Sequence, residues 1–293
     1  MTAVEVGQGV GFIGLGQMGR PMARRLADWP GGLWVHDVDP DAAAALEQSG
    51  AKVAETPREV GQRTRVVSVM VRDDEQVREV LEGPDGVLAG AAPGSCVVVH
   101  STIRPDTAYE LAEAAAARDV HVVDAPVSGG FMGAHDGRLA IMVGGTDEAF
   151  AVCREALERM GEVVVHLGPA GAGTRAKLAR NLIHFVAFAA VTEAQRVAEA
   201  AGIDLQALGR VVRHTDTVTG GPGAIMLRDT AAPMAPDEDW YPILDHVRTL
   251  GEKDLSFALE LAGQVGVDAP LARLALDRLG PGLGLPETEE GDR

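Results

Sequence analysis

The stretch GVGFIGLGQMGRPMARRL, residues 9–26, decides the fold of this chain. It opens on the apolar run VGFI, turns through Gly14-x-Gly16-x-x-Gly19, and continues with the apolar spacing of a helix. In a strand–turn–helix context the three glycines have separate uses. The first permits a tight turn, the second lets a phosphate approach the backbone, and the third allows the helix to pack closely on the strand. With 36 glycines in the chain, the spacing alone would be weak evidence; its position between an apolar strand and a helix gives it weight.

The same alternation continues outward from this stretch. Short apolar runs at 10–13, 33–36, 65–70, 96–100, 120–123, 139–143 and 163–166 predict strands. Helical spacing at 18–27, 41–48, 74–81, 104–117 and 147–160 separates them. Strands that are apolar through most of their length, joined by helices, predict a parallel sheet covered on both faces, the doubly wound Rossmann-type arrangement. The second strand ends at Asp37, 18 residues beyond Gly19, where a carboxylate accepts hydrogen bonds from a ribose. Val38, Asp39 and Pro40 follow, with no arginine to meet a 2′-phosphate, so the sequence favours NAD, with NADP less suited. His36, next to Asp37, is expected to face the opposite side of the strand.

The pattern changes near Gly168. GPAGAG, residues 168–173, reads as a hinge, and residues 174–201 form a long helix-like stretch without Pro or Gly, apolar on more than one face. Such a helix is expected to be buried between domains or subunits. Further helices fit 205–212, 242–265 and 270–279, while Gly220 to Pro236 reads as loops. The expected organisation is therefore a nucleotide-binding domain at 1–168 and an all-α domain at 169–293, joined by the long helix. The closing PETEEGDR lacks a core face and is expected to fray.

Composition narrows the function. Apolar residues at 46% and charged residues at 24% describe an ordinary globular chain. A net charge of -17 opposes binding to nucleic acid, which needs clustered cations. No run of 18 apolar residues suggests a membrane span, and the opening MTAVEVGQG lacks the basic and long apolar regions of a secretory signal. A cytoplasmic location is expected. Two cysteines, Cys96 and Cys153, are too few for a disulfide framework, and no histidine pairing or cysteine set suggests a metal.

Lysine occurs only as Lys52, Lys177 and Lys253; arginine supplies the other 23 of 26 cations. Arginine does not give up its proton near neutral pH, whereas lysine does when its environment disfavours the charge. Lys177 and Asn181 lie one helical turn apart, after a Gly-rich helix start. Earlier, DAPVSGG at 124–130 can present Ser128 and the amides of Gly129 and Gly130 to a carboxylate. Taken singly, the first is an ordinary surface pair and the second a simple turn.

Together, GFIGLGQMGRPMA, STIRP, DAPVSGGFMGA, GAGTRAKLARN and EKDLSFALELA resemble, in that order, the β-hydroxyacid dehydrogenase family, which includes 3-hydroxyisobutyrate dehydrogenase. The resemblance implies an NAD-dependent oxidoreductase of a small β-hydroxy acid or its semialdehyde. It assigns Lys177 as general acid and base, Asn181 as the residue orienting the substrate, and Ser128, Gly129 and Gly130 as the carboxylate loop. It assigns Gly14, Leu15, Gly16, Gln17, Met18, Gly19 and Asp37, with Met70, Val71, Thr102 and Lys253, to the cofactor. A homodimer or homotetramer is implied by the apolar long helix.

Two departures stand out. Arg72 occupies a position where the family commonly has proline, and residues 214–245 match poorly. Other readings are a reductase of imines or other non-acid carbonyls, and an NAD-binding regulatory protein without catalysis; retention of Lys177, Asn181 and the SGG loop opposes both. A decarboxylating 6-phosphogluconate dehydrogenase would need a basic cluster for its sugar phosphate, which the sequence lacks.

Overall fold

The structure, a computed structural model, describes residues 9–286. The opening segment and most of the charged tail read above lie outside the described residues. Two compact units divide the chain between Arg180 and Asn181.

The first unit runs β1 (Gly9–Ile13), α1 (Gly19–Arg24), β2 (Leu33–His36), α2 (Pro40–Glu47), β3 (Lys52–Val53), α3 (Pro57–Arg63), β4 (Thr64–Val69) and α4 (Asp74–Glu82). It continues with β5 (Cys96–Val99), α5 (Pro105–Ala116), β6 (His121–Asp124), β7 (Val127–Ser128), α6 (Gly130–Asp136), β8 (Leu139–Val143), α7 (Asp147–Met160) and β9 (Gly161–His166). Six strands form a parallel sheet in the order β3-β2-β1-β4-β5-β6. The order reverses between β1 and β4, the place where such sheets bind ligands at the carboxyl ends of their strands.

Alternation of side chains along the strands supplies both faces of the sheet. Val10, Phe12, Cys96 and Val98 pack in one cluster with α1, α2 and α7, through Met22, Leu46 and Leu157. Ile13, Val67, Val97 and Val99 pack in the other with α3, α4 and α5, through Val60, Leu81 and Leu111. This doubly wound arrangement is the one the strand pattern predicts.

One part of that expectation needs correction. The runs at 139–143 and 163–166 do not extend the main sheet. They form a three-stranded sheet, β7-β8-β9, in which β7 pairs antiparallel and β9 parallel to β8. A bridge between Asp124 and Gly144 links it to the end of β6. The strand β7 is only two residues long, and it reverses the chain's direction before Gly129 and Gly130 take φ of +132° and +62°, values that suit glycine.

The helix α8 (Ala172–Ala200) contributes its first turns to the first unit and the rest to the second. In the second unit follow α9 (Leu205–Thr219), α10 (Tyr241–Gln264) and α11 (Pro270–Gly282). The helix α9 continues well past the expected 212 and ends at Gly220, which caps it with φ of +89°. Glu193 of α8 caps α11 by accepting the amides of Leu271 (2.9 Å) and Ala272 (3.1 Å). Of the apolar residues of α8, which are expected to be buried between domains or subunits, Leu182, Phe185, Val186 and Phe188 are exposed in the single chain.

Candidate functional site

The glycine turn follows β1 and meets the requirements its spacing sets. Gly14 has φ of +87°, and a side chain there would strike the carbonyl of Met70. Its amide donates to the carbonyl of His36 at 3.0 Å, tying the turn to β2. A Cβ on Gly19 would collide with the carbonyl of Gly14, so only glycine lets α1 start this close to the turn. A Cβ on Gly16 would meet nothing within 4 Å, which leaves its backbone open to a ligand. The turn borders a cavity of about 710 Å3 that also includes Gln17, Met18, His36, Asp37, Met70 and Val71. His36 also borders this cavity, and its ring contacts the carbonyl of Ala54 at 3.0 Å, while the Asp37 carboxylate turns to the amide of Leu15.

Asp37 holds the turn in shape. One carboxylate oxygen accepts the amide of Leu15 at 2.5 Å and the other the amide of Asp39 at 2.8 Å. Each oxygen keeps a second lone pair for another donor. The side chain of Leu15 is fully buried in the core, so only its backbone belongs to the turn. Opposite, the amide of Met70 donates to Ile13 at 2.9 Å. The Ser101 hydroxyl donates to the carbonyl of Val71 (2.7 Å) and accepts its amide (2.9 Å). Thr102, the next residue, is exposed and does not line the cavity.

A second constellation is built where DAPVSGG meets the start of α8. Asp124, buried at the end of β6, accepts the amides of Gly171 (2.7 Å) and Thr174 (2.6 Å). These are donors that the start of a helix leaves without partners. Gly144 and Gly173 make the approach possible: a Cβ on either would strike Asp124 or the other glycine's backbone. Burial pushes the Asp124 carboxyl above its ordinary value, against the lowering by these amides.

Three residues beyond Thr174, the side chain of Lys177 turns back onto the same segment. Its Nζ donates to the carbonyl of Val127 at 2.7 Å, and the residue is only 9% exposed. Burial, then the charge of Arg180, lower its pKa below that of an ordinary lysine. Both effects favour an amine that can release its proton. Beside Val127, the Ser128 hydroxyl is buried and has no hydrogen-bond partner among the described residues. Asn181 follows one turn along α8, as the first residue of the second unit. Lys253 belongs to α10 in that second unit and pairs with Asp254 at 3.1 Å.

Sequence reasoning overlooked Asp124, Ser101 and His100. His100 is buried, with Nδ1 2.8 Å from the carbonyl of Ala125 and Nε2 3.2 Å from Ser68 Oγ. A carbonyl only accepts, so Nδ1 carries the hydrogen and Nε2 accepts from the serine. Burial lowers its pKa to about 4, which keeps the ring neutral. The available signal was positional: polar residues directly after apolar parallel strands, at the carboxyl edge where such sheets bind ligands. Among the described residues no group of three His, Cys, Asp or Glu is placed to hold a metal, and no helix is long and apolar enough to cross a membrane.

Comparison with known proteins agrees with this geometry. Residues 9–168 match the family described as the NAD binding domain of 6-phosphogluconate dehydrogenase. Residues 171–279 match the one described as the NAD-binding of NADP-dependent 3-hydroxyisobutyrate dehydrogenase. An uncharacterized oxidoreductase of Mycobacterium tuberculosis is 51% identical over 289 residues, covering 99% of this chain and 98% of that protein. The 3-hydroxyisobutyrate dehydrogenase of Pseudomonas aeruginosa is 36% identical over 269 residues, covering 91% and 89%. Among solved structures, the 3-hydroxyisobutyrate dehydrogenase of Mycobacterium tuberculosis with L-serine has a TM-score of 0.65 at 32% identity, covering 94% of this chain and 93% of that one. On sequence and fold alike, the chain belongs to the 3-hydroxyisobutyrate dehydrogenase-like family of NAD-binding oxidoreductases.

Proposed function

We propose that this chain is a cytoplasmic, NAD-preferring oxidoreductase that interconverts a small 3-hydroxyisobutyrate-like β-hydroxy acid and its semialdehyde. The observation that carries this reading is the buried Lys177, whose Nζ lies 2.7 Å from Val127 O beside the unpartnered hydroxyl of Ser128. A lysine held in this way offers a proton-transfer group next to a free donor suited to a carboxylate.

The residues at the glycine turn fit a dinucleotide: Gly16 is open, Gly14 and Gly19 permit the turn, and Asp37 retains acceptor capacity. Gly14 to Gly19 would hold the diphosphate, Asp37 the ribose, and Met70 and Val71 the neighbouring wall, with Thr102 and Lys253 as further contacts. Asp37 and Asp39, with no cation between them, disfavour a 2′-phosphate and so NADP. When bound, the nicotinamide accepts or supplies the hydride. Lys177, neutral, takes the hydroxyl proton in oxidation; protonated, it polarises the carbonyl and returns the proton in reduction. Ser128 with the amides of Gly129 and Gly130 binds the substrate carboxylate, and Asn181 orients the hydroxyl. The exposed Leu182, Phe185 and Phe188 of α8 support a homodimer or homotetramer in which another copy covers them.

The test is a panel of initial rates of NAD and NADP reduction with 3-hydroxyisobutyrate, 3-hydroxypropionate, glycerate, serine and 4-hydroxybutyrate, beside semialdehyde reduction. Turnover of a β-hydroxy acid with NAD is expected. Cofactor binding without turnover of any acid would overturn the reading, in favour of a reductase of imines or other non-acid carbonyls or of a non-catalytic NAD-binding protein.

A further inference from the structure

The cavity beside the glycine turn has an unusual balance of charge. Asp37, Glu79 and Asp85 line it, and the one arginine or lysine among its lining residues is Arg72. A dinucleotide brings two negative phosphates into this acidic wall, in a chain that is itself acidic at -17. Backbone amides and one guanidinium are left to offset them.

The topology places Arg72 relative to the glycine turn. Sheet order places β1 between β2 and β4. Asp37 follows β2 and Arg72 follows β4, so the two stand about two strand spacings apart, roughly 10 Å. Gly16, whose open face admits a phosphate, follows the strand between them. A 2′-phosphate would sit on the ribose beside Asp37, on the far side of the glycine turn from Arg72.

Arg72 is free to act. Its side chain is 80% exposed, and among the described residues its guanidinium holds a single 3.4 Å contact, with Asp73. Its backbone is fixed: the amide donates to Gln76 Oε1 at 3.1 Å, a bond that a proline at this position could not make. The site therefore combines an anchored backbone with an exposed cation. We infer that Arg72 is an electrostatic anchor for the cofactor's diphosphate, contributing equally to NAD and NADP and leaving the choice between them to Asp37 and Asp39. This rests on the glycine-turn cavity being the cofactor site proposed above.

Isothermal titration calorimetry of the full chain with NAD, NADP and ADP-ribose tests it without reference to turnover. Arg72→Gln is expected to weaken all three by a common factor of about tenfold at low salt, the size of one exposed charge-assisted contact. That factor should shrink as salt is raised. Arg72→Lys should keep most of the affinity. An unchanged urea midpoint would show that each variant folds. Arg72→Gln binding all three ligands as the wild type does would overturn the inference, and so would loss of NADP affinity alone, which would make Arg72 a reader of the 2′-phosphate. Failure of the wild type to bind any of the three would overturn the cofactor reading together with this one.

Discussion

Asp124 and Thr174, 50 residues apart in sequence, are joined by a hydrogen bond of 2.6 Å from the helix amide to the buried carboxylate. With the Gly171 contact at 2.7 Å and the Lys177 bond to Val127 at 2.7 Å, it fastens one short segment to the first turns of α8 at two points. The segment carries the proposed carboxylate loop and the helix carries the proposed base. Their relative placement depends on this clamp.

Removing the carboxylate leaves two buried amides without acceptors, each costing about 1–3 kcal/mol. Asp124→Ala should therefore lower the unfolding free energy by about 2–6 kcal/mol, read from urea denaturation followed by circular dichroism. A loss under half a kcal/mol would show that the clamp is not a structural element.

Ser128 should behave in the opposite way. Its hydroxyl is buried without a partner among the described residues, so Ser128→Ala removes no hydrogen bond among them. Stability should stay within about 0.5 kcal/mol of wild type, while KM for the hydroxy acid rises about tenfold through loss of a contact to a charged group. Unchanged KM would take Ser128 out of the substrate site.

His100 makes a prediction about acid. Its pKa is about 4 in the fold against an ordinary 6.5. Between those values the unfolded chain binds more protons. The stability contributed by the neutral ring is thus full above pH 6.5 and is lost as pH falls towards 4. The amount is about 3 kcal/mol at most. Asparagine can keep the donor to Ala125 but does not titrate. The gap in unfolding free energy between wild type and His100→Asn should therefore shift by that amount, against the wild type, on acidification. A constant gap would mean that the ring is not held neutral.

How much of this was legible in advance differs between the two sites. The glycine turn lies within one strand–turn–helix unit, so its three glycines announce their own steric roles, and Asp37 follows at the next strand's end. The proposed catalytic constellation is visible only as residue types: Lys177 stands out because lysine is scarce, and DAPVSGG because of its glycines. What unites them is the Asp124 clamp, whose partners lie 47 and 50 residues away and leave no periodic trace. The two-residue β7 was too short to register, and its antiparallel pairing carried β8 and β9 into a second sheet. The apolar faces of α8 were legible, but an apolar helix face in sequence does not say whether its own chain or another copy covers it.

The most direct test of the account is the pH–rate profile of hydroxy acid oxidation by wild type and Lys177→Arg, with NAD affinity measured in parallel. The wild type should gain kcat/KM with rising pH through an apparent pKa below the 10.5 of an ordinary lysine, as burial and Arg180 lower it. Lys177→Arg should bind NAD normally yet lose about 10²–10⁴-fold in turnover and the rising limb with it, because arginine cannot serve as the base. Near-normal turnover with the same pH profile in Lys177→Arg would contradict the assignment of Lys177 and the mechanism built on it.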